Sequence, residues 1–168
     1  MADKAPTTPS DLVSVIGRYQ LQCADNEALW KIESPFHLGP LDHMVFRCVP
    51  INVLFAYEPP TSDLQEGERI SVSCLREALC RLLDYYPHLT GRLHFDTETN
   101  APSITALGTG AELIEARCSK RLDDEAFRGS SGRILVTHLP GSGETLVAPF
   151  DSTTEGVCRD PILSVKHT

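Results

Sequence analysis

The sequence has no long apolar run and no basic cluster, and each absence excludes a class of function. No stretch of its 168 residues approaches the roughly 20 consecutive apolar residues that a membrane-spanning helix needs. Fifteen Lys and Arg residues are scattered among 23 Asp and Glu, which gives a formal net charge of −8. Because phosphate backbones and anionic lipid surfaces attract clustered positive charge, we expect neither nucleic acid nor a membrane as a partner.

Paired cysteine motifs are also missing. The six cysteines show no CxxC pair and no repeated spacing; they stand at positions 23, 48, 74, 80, 118 and 158. Zinc sites and disulfide frameworks use regular spacings, so we expect six reduced thiols, most of them buried, with no bound metal or cofactor. The N-terminal segment lacks the apolar stretch of a secretory signal, which predicts a cytoplasmic protein.

The remaining composition is typical of one globular domain. Hydrophobic residues make up 41% of the chain and charged residues 23%, values that indicate neither a disordered nor a fibrous protein. Residues 1–10 are polar and rich in proline, and they predict a flexible tail. We therefore expect a short tail followed by one domain over residues 11–168.

The most strongly patterned segment predicts an amphipathic helix from Ser71 to Tyr86. Its apolar residues fall on one face at helical spacing, and they are Val72, Leu75, Leu79, Leu82, Leu83 and Tyr86. Ser71 or Ser73 can cap the helix, and Pro87 ends it. The apolar face needs other elements to cover it, because an isolated helix of this length is marginal in water.

Strand patterns lie on both sides of this helix. The apolar run from Met44 to Tyr57, interrupted by Pro50, predicts two strand pieces with a kink between them. Other segments predict a hairpin of 94–96 with 103–107, a strand or turn at 11–19, a β-leaning segment at 112–118, and a strand at 160–168. Residues 129–159 predict a loop-rich stretch. The whole pattern predicts an α/β (α+β) fold, with a mixed β-sheet and one long amphipathic helix packed across it.

Two short motifs suggest ligand sites, and both have a simpler structural interpretation. His94 and Asp96 share one face of a predicted strand and could begin a metal site, but no third ligand follows at a suitable spacing. We favour an exposed hairpin face there. The segment 107–113, LGTGAEL, begins like a dinucleotide-binding loop but has leucine in place of the third glycine. A hairpin or bulge turn is the favoured interpretation.

Nucleophilic catalysis is weakly supported. The sequence has no G-x-S-x-G motif. Cys80 beside Arg81 and Cys118 near Lys120 are candidates for a reactive thiol, because a nearby cation favours the thiolate. We favour buried, inert side chains for both.

Two segments together resemble the opening of the BAHD acyltransferases. Residues 38–42, LGPLD, are similar to the LSxLD-like turn that precedes the first core strand of that family. Residues 86–93, YPHLTGRL, are similar to the YPxLAGRL ending of the helix that follows. The order and the spacing agree as well as the residues. The resemblance covers roughly residues 38–168 and implies the N-terminal half of the chloramphenicol-acetyltransferase-like fold.

The resemblance implies a transferase that moves an acyl group from acyl-CoA to a hydroxyl or amine acceptor. In that family the general base is the His of an HxxxD motif, since a base with a near-neutral pKa can take the acceptor's proton. None of the six histidines here has Asp four residues later, and the family's DFGWG motif is absent. We therefore expect an N-terminal fragment that is inactive alone, with acyl-CoA and a small-molecule acceptor as partners of the full-length protein.

The resemblance also implies roles for single residues. We expect Asp42 to satisfy backbone donors at the turn, and Arg92 to pair with a carboxylate beside the helix end. Asn52 lies on the predicted strand that borders the acceptor channel in the family, so it is a candidate substrate-binding residue, although sheet packing is favoured. The final strand, 160–168, has no following strand to pair with and predicts self-association.

Two alternatives remain open. The chain could be a self-sufficient, non-enzymatic α/β interaction domain that shares ancestry with the family. It could also be a fragment of the related condensation domains, which use a similar His motif on peptidyl thioesters. An HxxxDG motif in the coding sequence after Thr168 would separate the first alternative from the acyltransferase.

Overall fold

The structure is a computed structural model, and it describes residues 12–44, 50–56, 70–121, 127 and 134–168. Within these ranges the strands are β1 Val13–Leu21, β2 Phe36–His37, β3 Arg92–Phe95, β4 Pro102–Thr105, β5 Ala111–Cys118 and β6 Ser164–His167. The α-helices are α1 Val72–Tyr85 and α2 Thr154–Arg159, and short 3-10 helices lie at Asn26–Lys31, Asp42–Met44, Pro87–Thr90, Val136–His138 and Pro140–Leu146. The predicted tail, residues 1–10, lies outside the described residues.

The described strands form two three-stranded sheets. In the first, the order is β1-β5-β6, with β1 antiparallel and β6 parallel to the central β5. In the second, the order is β2-β4-β3, and both pairings are antiparallel. The predicted α+β class is confirmed, but the strands that we expected in one mixed sheet divide between two.

Strand β5 lies at the centre of the core. Its neighbouring residues Leu113 and Ile114 are both fully buried. Because successive side chains of a strand point to opposite faces, other residues must cover both faces of β5. Leu113 belongs to the same apolar cluster as Leu79 and Leu83 of α1, so α1 covers one of these faces.

Local sequence signals set both ends of α1. The Ser71 hydroxyl oxygen accepts a hydrogen bond from the Cys74 N–H at 3.2 Å and caps the first turn. The helix ends at Tyr85, one residue before Tyr86, whose backbone leaves the α region ahead of Pro87. Of the two predicted caps, Ser71 and Ser73, Ser71 is the one that the helix uses, and the predicted stop at Pro87 is confirmed.

The buried face of α1 is narrower than its apolar pattern predicts. Leu79 and Leu83 lie in the core, with Val72 and Leu75 packed at its margin. Leu82 is 39% exposed, and Tyr86, just beyond the helix, is 50% exposed. Placing these last two residues on the buried face was wrong. The core cluster that covers α1 contacts a sector centred on Leu79 and Leu83, and Leu82 lies beside that sector.

The predicted strand over residues 44–57 is not found where the structure describes this segment. Residues 50–56 form no strand, and the side chains of Ile51 and Phe55 are largely exposed. β-branched and aromatic residues favour strands chiefly because they pack on a pleated surface, and the described residues provide no neighbouring strand here. Residues 45–49 and 57 lie outside the described ranges.

The other predicted strands are found in the structure. Strands β3 and β4 form the expected hairpin, and β1, β5 and β6 match the segments predicted at 11–19, 112–118 and 160–168. Helix α2 was missed, because it lies in the stretch that we expected to be loop-rich. Its N-terminus is capped by Thr153, whose hydroxyl oxygen accepts from the Gly156 N–H at 3.0 Å.

Most described cysteines are not buried. Cys23 is buried, Cys74 is exposed, and the thiols at 80, 118 and 158 are half-buried. The expectation of mostly buried thiols was therefore wrong for the described residues. None of the described helices has the length and hydropathy required to cross a bilayer.

Candidate functional site

The first motif segment forms a closed turn. The Gly39 N–H donates to Asp42 Oδ2 at 2.9 Å, and the Asp42 N–H donates to the Gly39 carbonyl at 3.0 Å. Asp42 thus satisfies a backbone donor of the turn with its side chain, as Asp commonly does. The turn is exposed, and Asp42 begins the short 3-10 helix that follows.

The second motif segment links the end of α1 to a distant turn through Thr90. Thr90 is fully buried, and its hydroxyl donates to the Pro87 carbonyl at 2.6 Å. The same hydroxyl oxygen accepts from the Gly108 N–H at 2.9 Å, and the Thr90 carbonyl accepts from the Gly110 N–H at 2.7 Å. Two of these three bonds, those from Gly108 and Gly110, fix the position of the turn at 106–110.

Gly91 has no space for a side chain. A Cβ atom added there would lie 2.5 Å from Ile104 Cγ2 and 2.7 Å from the Thr105 carbonyl oxygen. Both distances are far shorter than a van der Waals contact. Glycine is therefore required for the close approach between the motif segment and β4.

Arg92 donates to three main-chain carbonyl groups. Its Nε donates to the Arg159 carbonyl at 2.9 Å, and its Nη1 donates to the carbonyls of Gly91 and Gly110 at 2.8 Å each. These partners take the place of the single carboxylate that we expected. Burial lowers the pKa of the guanidinium, and the nearby carboxylates of Asp160 and Glu112 act in the opposite direction. The planar array of N–H donors lets one side chain join three chain segments.

The segment LGTGAEL is a connection between the two sheets. Gly108 and Gly110 have φ values of 83° and 107°, in the region that favours glycine. We favoured a hairpin or bulge turn for this segment. It leaves β4 in one sheet and enters β5 in the other, so it is not a hairpin. Together, the bonds of Thr90 and Arg92 to Gly108 and Gly110 make the second motif a brace between the sheets. We call Thr90, Gly91 and Arg92 the motif brace.

An aromatic cluster lies next to the motif brace. The rings of Phe36 and His88 stack at a centroid distance of 4.9 Å, and Tyr86 meets His88 edge-on at 6.2 Å. Burial lowers the pKa of His88 and so favours the neutral form of its imidazole. A neutral imidazole can accept a proton, but no carboxylate in the described part of the chain is hydrogen-bonded to this one.

A surface cavity of about 340 Å³ adjoins this cluster. It is lined by Lys31, Ile32, Glu33, Pro35, Phe36 and His37. Phe36 therefore contributes both to the cavity wall and to the His88 stack. The cavity is built from one stretch of chain and includes no residue of the motif brace, so its geometry assigns no acceptor or acyl-CoA site.

The remaining candidate site residues, Asp96, His94 and Asn52, are not part of the motif brace. Asp96 Oδ1 accepts from the Thr99 N–H at 2.7 Å, the Thr99 hydroxyl at 2.8 Å and the Glu98 N–H at 3.1 Å, and these bonds lower the pKa of Asp96. Asp96 thus caps the β3–β4 turn, while His94 is exposed on β3. No three described His, Cys, Asp or Glu side chains are grouped as metal ligands. Asn52 is exposed within residues 50–56, which form no strand.

Sequence reasoning missed Thr90 and Phe36. For Thr90 there was a signal, since a hydroxyl residue three positions after Pro87 can bond back to that carbonyl at a helix end. For Phe36 there was no signal in the sequence, because its stacking partner His88 is brought near by the pairing of β2 with β4.

Comparisons with known proteins identify the class. A family model described as Transferase family matches residues 26–127, which include both motif segments. This is more than half of the chain, and the protein belongs to that family; the resemblance to the BAHD-type acyltransferases is confirmed. Among curated proteins, 2-alpha-hydroxytaxane 2-O-benzoyltransferase of Taxus cuspidata is 32% identical over 99 residues. That match covers 54% of this chain and 20% of the relative, so the chain spans about a fifth of the relative's length.

Proposed function

We propose that the chain is the N-terminal part of an acyltransferase that moves an acyl group from acyl-CoA to a hydroxyl or amine acceptor. The observation that carries this proposal is the family match over residues 26–127, within which the two motif segments fold into a closed turn and the motif brace. The name of the Taxus relative, a 2-O-benzoyltransferase, supports transfer of an acyl group to oxygen.

The reaction needs a general base and an activated thioester. The base removes the acceptor's proton, the acceptor oxygen or nitrogen attacks the thioester carbonyl, and the CoA thiol leaves with a proton. The HxxxD base is missing from these 168 residues, because none of the six histidines has Asp four positions later. We therefore propose that the chain alone does not complete this reaction.

The proposed contribution of these residues is architectural. The motif brace holds α1, the β4–β5 connection and the end of α2 in one arrangement through the bonds of Thr90 and Arg92. Such rigid support is what a transferase site needs to hold its base within hydrogen-bond reach of the acceptor. Asn52, exposed on residues 50–56, remains our candidate for contact with the acceptor.

Release of free CoA thiol tests the proposal. The purified 168-residue chain is incubated with a panel of acyl-CoAs and with alcohol and amine acceptors, and thiol is measured with a chromogenic disulfide. We expect no release above the rate in buffer. Turnover that His88→Ala abolishes and His94→Ala preserves would show that these residues contain a complete site, and it would overturn the proposed inactivity.

A second experiment separates the acyltransferase from an interaction domain. The messenger RNA that encodes the chain is sequenced beyond the codon for Thr168, and the longer reading frame, where present, is expressed and assayed in the same way. We expect an HxxxDG motif and acyl-CoA-dependent thiol release from the longer protein. A message without that motif would favour the non-enzymatic α/β domain. The cytoplasmic location stays a prediction.

A further inference from the structure

Two cysteines lie on segments that contact each other, where the chain leaves β1 and runs against α1. Cys23 lies two residues after β1, and Cys80 lies within α1. The Ala24 N–H donates to the Cys80 carbonyl at 3.2 Å, and the Cys23 thiol donates to the Leu83 carbonyl at 3.4 Å. These two contacts hold the chain around Cys23 against the turn of α1 that begins with Cys80.

The first contact limits the distance between the two cysteines. The Cys23 Cα is two bonds from the Ala24 nitrogen, and the Cys80 Cα is two bonds from its own carbonyl oxygen. With a hydrogen bond of 3.2 Å between those atoms, standard bond lengths keep the two Cα atoms within about 8 Å. Disulfides span Cα separations of about 4.4 to 6.8 Å. The Cα separation of the pair therefore exceeds the upper end of this range by at most about 1 Å.

Both side chains belong to the same interior surface. Cys23 is 7% exposed and is part of the apolar cluster of Leu79 and Leu83, and Cys80 packs against that cluster. Residues three apart on a helix share a face, so Cys80 lies one turn from the Leu83 carbonyl that the Cys23 thiol contacts. Burial raises the pKa of Cys23, and the nearby Asp84 and Cys80 act in the same direction.

We propose that Cys23 and Cys80 form a disulfide under peroxide oxidation, so that the pair is a redox-sensitive staple between the end of β1 and α1. Half-buried Cys80 is the more accessible thiol and reacts first: its sulfur takes one oxygen from hydrogen peroxide to give a sulfenic acid, and the other oxygen leaves as water. The Cys23 sulfur then attacks the Cys80 sulfur, the S–S bond forms, and the sulfenic oxygen leaves as water. In total, two thiols lose two electrons and two protons, and one peroxide becomes two waters.

Peptide mapping tests the bond directly. The 168-residue chain is treated with hydrogen peroxide, its remaining thiols are alkylated, and trypsin is added. Cleavage after Arg18, Lys31, Arg76 and Arg81 leaves Cys23 in peptide 19–31 and Cys80 in peptide 77–81. We expect a linked peptide that is lighter by two hydrogen atoms than the sum of the two reduced peptides, found in monomeric protein and absent after treatment with dithiothreitol.

Matched variants make the test specific. Cys74→Ser removes an exposed thiol from the same helix and should leave the linked peptide and its yield unchanged. Cys80→Ser should abolish it. Oxidation should also raise the urea midpoint of the unmodified chain and of Cys74→Ser, because a cross-link restricts the unfolded chain, and it should not raise that of Cys80→Ser. Alkylation of both thiols after oxidation, or linkage of Cys80 mainly to another cysteine, would overturn the proposal.

Discussion

The Nε atom of Arg92 donates a hydrogen bond of 2.9 Å to the carbonyl oxygen of Arg159, which lies 67 residues further along the chain. Arg92 begins β3 and Arg159 ends α2, so this bond joins the second motif segment to the C-terminal part of the chain. The bonds from the same guanidinium to Gly91 and Gly110 add the β4–β5 connection. One side chain therefore stabilises the relative positions of three segments.

Replacement of Arg92 should destabilise the fold even where charge is retained. We expect Arg92→Met to lower the free energy of unfolding by roughly 2 to 4 kcal/mol, because charge-assisted bonds to three carbonyls are lost and partly buried acceptors stay unpaired. Arg92→Lys should recover less than half of this loss, since an ammonium group lacks the planar set of donors. Urea unfolding measures both, with Arg81→Met as the control on the exposed side of α1. Equal midpoints for Arg92→Met and Arg81→Met would contradict the role of the motif brace.

Gly91 and Gly39 provide a matched pair of glycines. Gly91→Ala should cost roughly 1 to 3 kcal/mol, because its Cβ would clash with Ile104 and the Thr105 carbonyl of β4. At Gly39 the nearest atom to an added Cβ is Asp42 Oδ2 at 3.5 Å, an ordinary contact, so Gly39→Ala should change stability by less than about 0.5 kcal/mol. Thermal unfolding of both variants decides the matter. A smaller loss at Gly91 than at Gly39 would show that β4 moves away without cost.

Alanine substitutions at two adjacent leucines of α1 should differ sharply in their effect on the free energy of unfolding. Leu83 is fully buried, so Leu83→Ala should lower the free energy of unfolding by roughly 2 to 5 kcal/mol through lost transfer energy and a cavity. Leu82→Ala should cost about 1 kcal/mol or less, because the side chain is already partly in water. Denaturant midpoints are the measurement. The same loss at both positions would mean that Leu82 is covered by a contact absent from this structure.

Titration of His88 should contribute to the pH dependence of stability. Burial lowers its pKa in the folded state below the ordinary value of 6.5, so the unfolded chain binds the proton more tightly. The stability that the neutral form contributes is complete above about pH 6.5 and is lost as the pH falls below that value. The difference in urea midpoint between about pH 7.5 and pH 5.5 should therefore shrink in His88→Phe, which keeps the stack on Phe36. His94→Gln, at an exposed position of β3, is the control; an unchanged difference in His88→Phe would exclude the effect.

Strand β6 is expected to support self-association. Among the described strands, the order β1-β5-β6 leaves β6 at the edge of its sheet, and exposed edges pair with other chains. The Leu163 carbonyl accepts from Glu112 on β5, so by strand alternation the N–H of Ser164 points away from β5. Ser164→Pro should remove this outward donor and lower the oligomer fraction in light scattering at high concentration. If the unmodified chain is monodisperse at all concentrations, this prediction is wrong.

Features encoded locally were predictable from the sequence. The Ser71 cap and Pro87 define α1 because each acts on residues within one turn, and the alternation around the β3–β4 hairpin has the same short range. Apolar spacing also located Leu79 and Leu83. It could not separate them from Leu82, because the width of the buried sector depends on what packs against the helix.

Features that depend on distant contacts were not predictable. The motif identified Arg92, but its carbonyl partners depend on where α2 and the β4–β5 connection lie. The run at 50–56 has the composition of a buried strand and lies exposed, since composition does not provide a neighbouring strand. Helix α2 has 6 residues, too few for helical periodicity to be visible in the sequence.

The pairing of β1 with β5 means that β1 cannot join its sheet until β5 has been synthesised. Leu21 pairs with Ala111, and Val13 pairs with Cys118, so the strand made first waits for a partner made roughly 90 residues later. At 5 to 20 residues per second, that interval is on the order of 5 to 20 seconds. During it, Tyr19 and Leu21 have no sheet to cover them, and nascent β1 is a segment for chaperones to bind. Slow codons between positions 21 and 111 would lengthen this exposure and should lower the soluble yield.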